Sequence, residues 1–123
     1  MKVLIADDHI IVREGLKKIL SKIKEIESIE EAGNGQEVMS MVAKDKYDLV
    51  ILDISMPGKS GLEVLRELKQ KNHKLAVLIL SVHPEEQYAV RALKSGASGY
   101  ISKSSASDEL VEAIRTIQGG GNI

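Results

Sequence analysis

The sequence contains no cysteine, no phenylalanine and no tryptophan. Without cysteine there is no disulfide framework, no thiol nucleophile and no thiolate metal site. Three tyrosines are all that remains of the large aromatics, too few for a platform on which nucleobases stack. An excess of either charge is missing too. Seventeen Lys and Arg stand against 18 Asp and Glu, a formal net charge of −1. That balance argues against a domain held to nucleic acid by phosphate contacts. No apolar run approaches the roughly 18 residues of a membrane span, and the N-terminus enters a strand-like run in place of a signal peptide. A cytoplasmic location with no membrane attachment is the expectation. A chain of 123 residues forms one domain and buries roughly two-thirds of its unfolded surface.

What is present is a rhythm. Val3-Leu4-Ile5-Ala6, Leu49-Val50-Ile51-Leu52 and Leu75-Ala76-Val77-Leu78-Ile79-Leu80 are short continuous apolar runs. Such runs suit strands buried on both faces. Weaker strand candidates are Ser28 to Ala32 and Gly99 to Ser102. Between them lie stripes at helical spacing. The first is Val12, Leu16, Ile19, Leu20 and Ile23, and the second is Val38, Met41 and Val42. Leu62, Leu65 and Leu68 make a third, and Ala89, Val90 and Leu93 a fourth. Leu110, Val111, Ile114 and Ile117 make a fifth. Ser60-Gly61-Leu62-Glu63 is a capping box and Asn34-Gly35-Gln36-Glu37 a looser one. Pro84 suits the first position of helix four, and Ser107 the cap of helix five. Strand and helix alternate five times, which predicts an α/β fold with a parallel sheet and right-handed crossovers. Gly119-Gly120-Gly121 reads as a helix stop entering a linker.

In an open parallel sheet, ligands bind beyond the carboxyl ends of the strands. Strand one ends in Asp7-Asp8, strand three in Asp53 and strand four in Ser81, while Lys103 comes after strand five. Strand two ends in Ala32-Gly33 and offers nothing charged there. Singly, each residue has an ordinary explanation. Asp8 would cap the next helix, Ser81 would serve a turn, and Lys103 would be solvated. Jointly they crowd three carboxylates at one edge, where their repulsion calls for a hard divalent cation such as Mg²⁺. Asp53 is then a candidate nucleophile toward a phosphoryl group. Lys103 and the Ser81 hydroxyl would neutralise and hydrogen-bond its oxygens.

The full set of motifs resembles the receiver domain of two-component response regulators. The matching residues are Leu4-Ile5-Ala6-Asp7-Asp8-His9, Asp48-Leu49-Val50-Ile51-Leu52-Asp53-Ile54-Ser55-Met56-Pro57-Gly58 and Gly61. Leu80-Ser81, Gly96-Ala97, Gly99-Tyr100 and Lys103 complete them. Ala6-Asp7-Asp8-His9, Val12-Arg13-Glu14-Gly15-Leu16 and Glu112-Ala113-Ile114-Arg115 resemble the NarL/LuxR-type subgroup. The resemblance implies a flavodoxin-like fold, a five-stranded sheet in order 2-1-3-4-5 with five flanking helices. It implies that Asp53 is a phosphoacceptor served by a sensor histidine kinase. It implies that Asp8, Asp53 and the Ser55 carbonyl hold Mg²⁺, with Asp7 acting through water. Lys103 would contact the phosphoryl group, and Ser81 and Tyr100 would be the switch residues. Residues 1–118 would form the receiver, and 119–123 would begin a linker to a C-terminal helix-turn-helix DNA-binding domain controlling transcription. The receiver itself would make no nucleic-acid contact and would assist its own Mg²⁺-dependent phosphotransfer and dephosphorylation. Phosphorylation would favour a homodimer, through helix four, strand five and helix five or through helices one and five.

Two positions depart from the family pattern. Ser104 comes after Lys103 where a proline is common, so no cis peptide is assumed there. Ser81 replaces a common threonine and keeps only its hydroxyl. Tyr100 also has a plainer explanation as strand packing. His83, two positions past Ser81, is as well explained as a helix-four cap as by the phosphoryl site. His9 reads as a surface-loop residue in preference to a metal ligand. Lys17, Lys18, Lys22 and Lys24 read as a solvated face, and Met39 and Met41 as near-core. Three competing readings fit less well. A haloacid-dehalogenase-type phosphatase carries Asp-x-Asp after strand one and needs a cap domain, whereas this sequence has Asp53-Ile54-Ser55 on strand three. An unphosphorylated interaction module would not need Asp7, Asp8, Asp53, Ser81 and Lys103 together. A dinucleotide-binding domain would show Gly-x-Gly-x-x-Gly after strand one.

Overall fold

The five apolar or mixed runs form five parallel strands, and the stripes between them form five helices. The computed structural model describes residues 1–81, 86–103 and 106–118, with side chains at 1–81, 88–103 and 109–118. In chain order these are β1 (Lys2–Ala6), α1 (Ile10–Leu20), β2 (Ser28–Ala32), α2 (Gly35–Lys44) and β3 (Leu49–Asp53). Next come α3 (Gly61–Lys71), β4 (Ala76–Ser81), α4 (Glu86–Lys94), β5 (Gly99–Ser102) and α5 (Ala106–Gln118). The sheet order is β2-β1-β3-β4-β5, as the resemblance implies. β3 is central and every one of its residues is buried, which is why its sequence is an unbroken apolar run closed by Asp53.

Alternate residues of the strands feed two cores. Leu4, Ala6, Val50, Leu52, Val77 and Ile79 pack with α2 and α3 through Val38, Val64, Leu65 and Leu68, and with Ala92 of α4. Val3, Ile5, Leu49, Ile51, Leu78 and Leu80 pack with α1 and α5 through Leu16, Leu20, Leu110, Ala113 and Ile114. Met39 and Met41 lie partly buried against the first core. The register pairs Ala6 with Leu52 and with Ala32, Asp53 with Leu80, and Ser81 with Ser102. The strands therefore finish nearly level, and the residues just beyond them meet at one edge.

Helix starts mostly agree with the sequence. The Asn34 side chain accepts from Glu37 N at 2.8 Å, and Glu37 Oε1 accepts from Gly33 N at 3.2 Å. Ser60 Oγ accepts from Glu63 N at 3.3 Å. Three readings change. The cap position of α1 is His9, with no side-chain cap bond, so Asp8 does not cap that helix. Helix α5 begins at Ala106, which puts Ser107 inside its first turn instead of at the cap. The stripe of α4 is not its buried face: Ala92 is buried, while Val90 and Leu93 remain 45% and 44% exposed. The small Ala92 lets α4 lie close to the sheet, and the larger apolar residues are left outside. Pro84, His83, the peptide between Lys103 and Ser104, and the Gly119–Gly121 run lie outside the described residues.

Candidate functional site

The carboxyl edge of the sheet gathers Asp7, Asp8, His9, Asp53 and Lys103. Backbone hydrogen bonds carry the ladder one step past the strands: Asp7 N donates to Ala32 O, and Ile54 N to Leu80 O, each at 3.1 Å. These fix where the two acids emerge. Asp7 and Asp53 are each only 1% exposed. The Lys103 ammonium lies 2.8 Å from Asp7 Oδ2 and 3.4 Å from Asp53 Oδ2. Asp7 Oδ2 is fully buried and receives no well-aligned hydrogen bond, so its partner is the ionic contact with Lys103. Asp7 Oδ1 accepts from His9 N at 2.8 Å, and Asp53 Oδ1 accepts from Ser55 N at 3.2 Å.

Two buried carboxylates thus share one ammonium. Burial pushes the Asp53 carboxyl above its usual range, and the Asp7 charge adds to the effect; the Ser55 N–H and Lys103 oppose it. Burial also disfavours the Lys103 cation, but its contact with Asp7 and the Asp53 charge outweigh that and raise its pKa. The donor chemistry fits a divalent cation. Asp7, Asp8, His9 and Asp53 each offer a ligand atom, and these atoms lie within 4.8 Å of one another. Both oxygens of Asp7 and both of Asp53 already have partners, and Asp8 is the exposed acid of the three.

The loop after Asp53 is locked by a glycine. A Cβ on Gly61 would sit 2.5 Å from Ile54 Cα and 2.6 Å from Asp53 O, and Gly61 N donates to Ile54 O at 3.0 Å. Only glycine allows the start of α3 to lie on the backbone just past the acid. Gly58, at φ +78°, makes the left-handed turn after Pro57, and Met56 tucks into the core.

Ser81 ends β4, buried, one residue beyond the register partner of Asp53. Tyr100 lies on β5 opposite Ile79, half-buried against the first core, and its buried hydroxyl has no hydrogen-bond partner among the described residues. Ser55 is exposed, and its amide serves Asp53. The sequence reading missed a brace on the other side of Asp7. Arg13 Nη1 donates to Asp7 O, and Arg13 Nε donates to Glu31 Oε1 at 3.0 Å. Lys17 reaches the same carboxylate at 3.0 Å. Glu31, next to last on β2 and paired in register with Ile5, brings charge close to the strand end that looked empty. Arg13 and Glu31 lie on different elements, and nothing in the sequence pattern pairs them.

Comparison with known proteins bears on the family and the fold. A family model described as the response regulator receiver domain matches residues 3–115. The chain is 38% identical over 121 residues to the transcriptional regulatory protein DegU of Brevibacillus brevis, covering 98% of this chain and 51% of that protein. It spans about half the length of the curated relatives it matches. A solved LuxR-family two-component response regulator from Aurantimonas sp. SI85-9A1 superposes with a TM-score of 0.92 at 33% identity, covering 98% of this chain and 86% of that one. The isolated receiver domain of RcsB from Salmonella enterica serovar Typhimurium, solved with the phosphomimetic BeF₃⁻, gives 0.93 at 26% identity, covering 100% and 91%.

Proposed function

This chain belongs to the response regulator receiver domains, of the NarL/LuxR type, and from that premise we propose that Asp53 is its phosphoacceptor. A sensor histidine kinase supplies the phosphoryl group. The domain then acts as a phosphorylation-dependent switch on transcription. The observation that carries the reading is the buried Asp53 at the strand end, beside Lys103 and Asp7.

The chemistry rests on these groups. An Asp53 carboxylate oxygen forms the new bond to phosphorus as the bond to the kinase histidine nitrogen breaks, and the electron pair leaves with that nitrogen. Asp8, Asp53 and the Ser55 carbonyl would hold Mg²⁺, with Asp7 through water, and the ion would supply the positive charge that lets anionic oxygens enter an acidic pocket. Lys103 spans the two buried acids and is placed to turn its charge onto the phosphoryl oxygens. The Ser55 N–H holds one Asp53 oxygen and so orients the carboxylate. Arg13, fixed by Glu31, holds the Asp7 carbonyl and keeps the acidic turn in place. Ser81 supplies a hydroxyl donor to the phosphorylated state, and Tyr100 repacks with it. The same pocket assists hydrolysis of the acyl phosphate.

The wider reading is that residues 1–118 form the receiver in a cytoplasmic protein, and that 119–123 lead to a helix-turn-helix domain that makes the DNA contacts. The span of about half of each relative supports it. The test is intact mass after incubation with a small-molecule phosphodonor, with and without Mg²⁺. One acid-stable, base-labile phosphoryl group forms only with the ion, and Asp53→Asn takes none. Full labelling of Asp53→Asn at another residue refutes the assignment.

A further inference from the structure

We propose that His9 is a metal donor, and that it biases this pocket toward a borderline transition cation such as Mn²⁺ relative to Mg²⁺. The inference rests on the reading of the Asp7–Asp8–Asp53 edge as a divalent-cation site. From sequence His9 is a surface-loop residue, and its side chain is indeed 67% exposed. Yet its ring does not point away. His9 Nδ1 lies 3.1 Å from Asp8 Oδ1 and 3.3 Å from Asp7 Oδ1.

Without an ion these are hydrogen-bond distances, with the ring N–H facing the carboxylates; a bound cation would displace that proton and take its place. An octahedral cation with bonds of ~2.1 Å separates neighbouring donors by ~3.0 Å and opposite donors by ~4.2 Å. His9 Nδ1 therefore already stands at neighbour spacing from Asp8 Oδ1, the carboxylate oxygen it would flank on the ion. The 4.8 Å limit on the four donor atoms asks only for a small contraction around the ion. The backbone beneath the ring is fixed. His9 N donates to Asp7 Oδ1 at 2.8 Å, the residue is extended at φ −105° and ψ 116°, and α1 begins at the next position. At a helix cap the side chain usually bonds the first turn. His9 makes no such bond, which leaves its ring nitrogen to the carboxylates.

A neutral imidazole adds little to a hard Mg²⁺ site, which prefers oxygen and water. It adds more for Mn²⁺ and progressively more along the series to Co²⁺ and Ni²⁺. Asp8 and His9 are consecutive, so both donors are presented by one braced turn and the ion orders little further chain. The ion bound would set how readily Asp53 is neutralised, and metal identity would become a second input to the switch.

The experiment measures Mn²⁺ affinity from the free-ion electron paramagnetic resonance signal, and Mg²⁺ affinity by competition. It compares wild type, His9→Ala and Asp8→Asn, with circular dichroism as a check on folding. The Mn²⁺-over-Mg²⁺ preference falls in His9→Ala by at least the ~10-fold that loss of an outer-sphere partner costs. Pulsed resonance of the Mn²⁺ form shows a coordinated ring nitrogen in wild type and none in His9→Ala. An unchanged preference, or a nitrogen signal that survives in His9→Ala, overturns the proposal. Asp8→Asn weakens both ions. If it weakens neither, the cation site itself is refuted, a different failure from that of His9 alone.

Discussion

Removing the charge of Asp53 should stabilise the metal-free domain. At an effective dielectric constant of about 20, an ion pair at the 3.4 Å between Lys103 and Asp53 is worth about 5 kcal/mol of attraction. The Asp7 and Asp53 ligand atoms lie no more than 4.8 Å apart, which gives at least about 3.5 kcal/mol of repulsion on the same scale. The small remaining attraction does not offset the several kcal/mol it costs to bury a charge. Asn keeps the oxygen that accepts from Ser55 N and removes the charge, while its own buried amide cancels part of the benefit. A net gain of about 1–2 kcal/mol results, and each kcal/mol shifts the midpoint by about 4 °C in a domain of this size. The sign of the pH dependence comes from the raised Asp53 pKa. The folded state binds this proton more tightly than the unfolded chain does. Wild-type stability from this group therefore falls as pH rises from the ordinary carboxylate value of 3.8 through the raised folded value. The advantage of Asp53→Asn is full at neutral pH and fades on acidification. Mg²⁺ also removes it, because the ion stabilises wild type more than the variant. Thermal denaturation from pH 3 to 8, with and without Mg²⁺, measures this. A variant less stable than wild type at neutral pH, or a gain that ignores pH, refutes the electrostatic account.

Asp8→Asn weakens Mg²⁺ binding by titration calorimetry while apo stability rises; because His9 and not Asp8 holds the cap position of α1, the helicity of α1 by NMR chemical shifts is unchanged. Wild-type affinity in Asp8→Asn would remove this residue from the ion. Lys103→Ala leaves Asp53 and the ion in place, so phosphodonor labelling persists while the change in amide exchange around α4 is lost. A full exchange response in that labelled variant would make Lys103 dispensable to switching. Sedimentation of the phosphorylated or fluoroberyllate-bound domain shows self-association, with the exposed Tyr88, Val90 and Leu93 of α4 at the contact. A strict monomer at high concentration would place the output in release of the C-terminal domain.

The strands were legible because burial on both faces leaves a mark no helix of similar length carries, a short unbroken run of Val, Ile and Leu. Leu49 to Leu52 has it, and Asp53 closes it. The acids and Lys103 were legible because parallel strands that end level must bring their last residues together. The α4 stripe misled for a physical reason. Periodicity shows that Val90 and Leu93 lie on one side of a helix, not that anything covers that side. Contact with the sheet is made instead by Ala92, whose small size leaves no peak in a hydrophobic pattern. The Arg13–Glu31 brace joins residues on α1 and β2, and pairing across elements is invisible until register is known. The ring of His9 is a matter of rotamer, on which a lone sequence is silent.

The proposed switch needs some parts to move cheaply and others to stay fixed, and the packing divides them. Helix α3 buries Leu62, Val64, Leu65 and Leu68 and lies on the acceptor loop through Gly61. Displacing it would uncover several large side chains at roughly 1.5–3 kcal/mol each. The other side of the site is held less firmly. Among its described side chains α4 buries Ala92 and leaves its larger apolar residues outside. On β5, the Tyr100 hydroxyl is buried without a partner among the described residues, a cost of roughly 1–3 kcal/mol. That is the scale separating the two states of an ordinary conformational equilibrium. On this proposal a phosphoryl group on Asp53 would act on this side through Lys103, just past β5, and through Ser81 at the end of β4. A few kcal/mol of differential interaction is enough to reverse the populations there, while the α3 side holds the acceptor loop in register. The proposed change of shape would therefore be confined to the β4–α4–β5 end, where the exposed Val90 and Leu93 are available to report it.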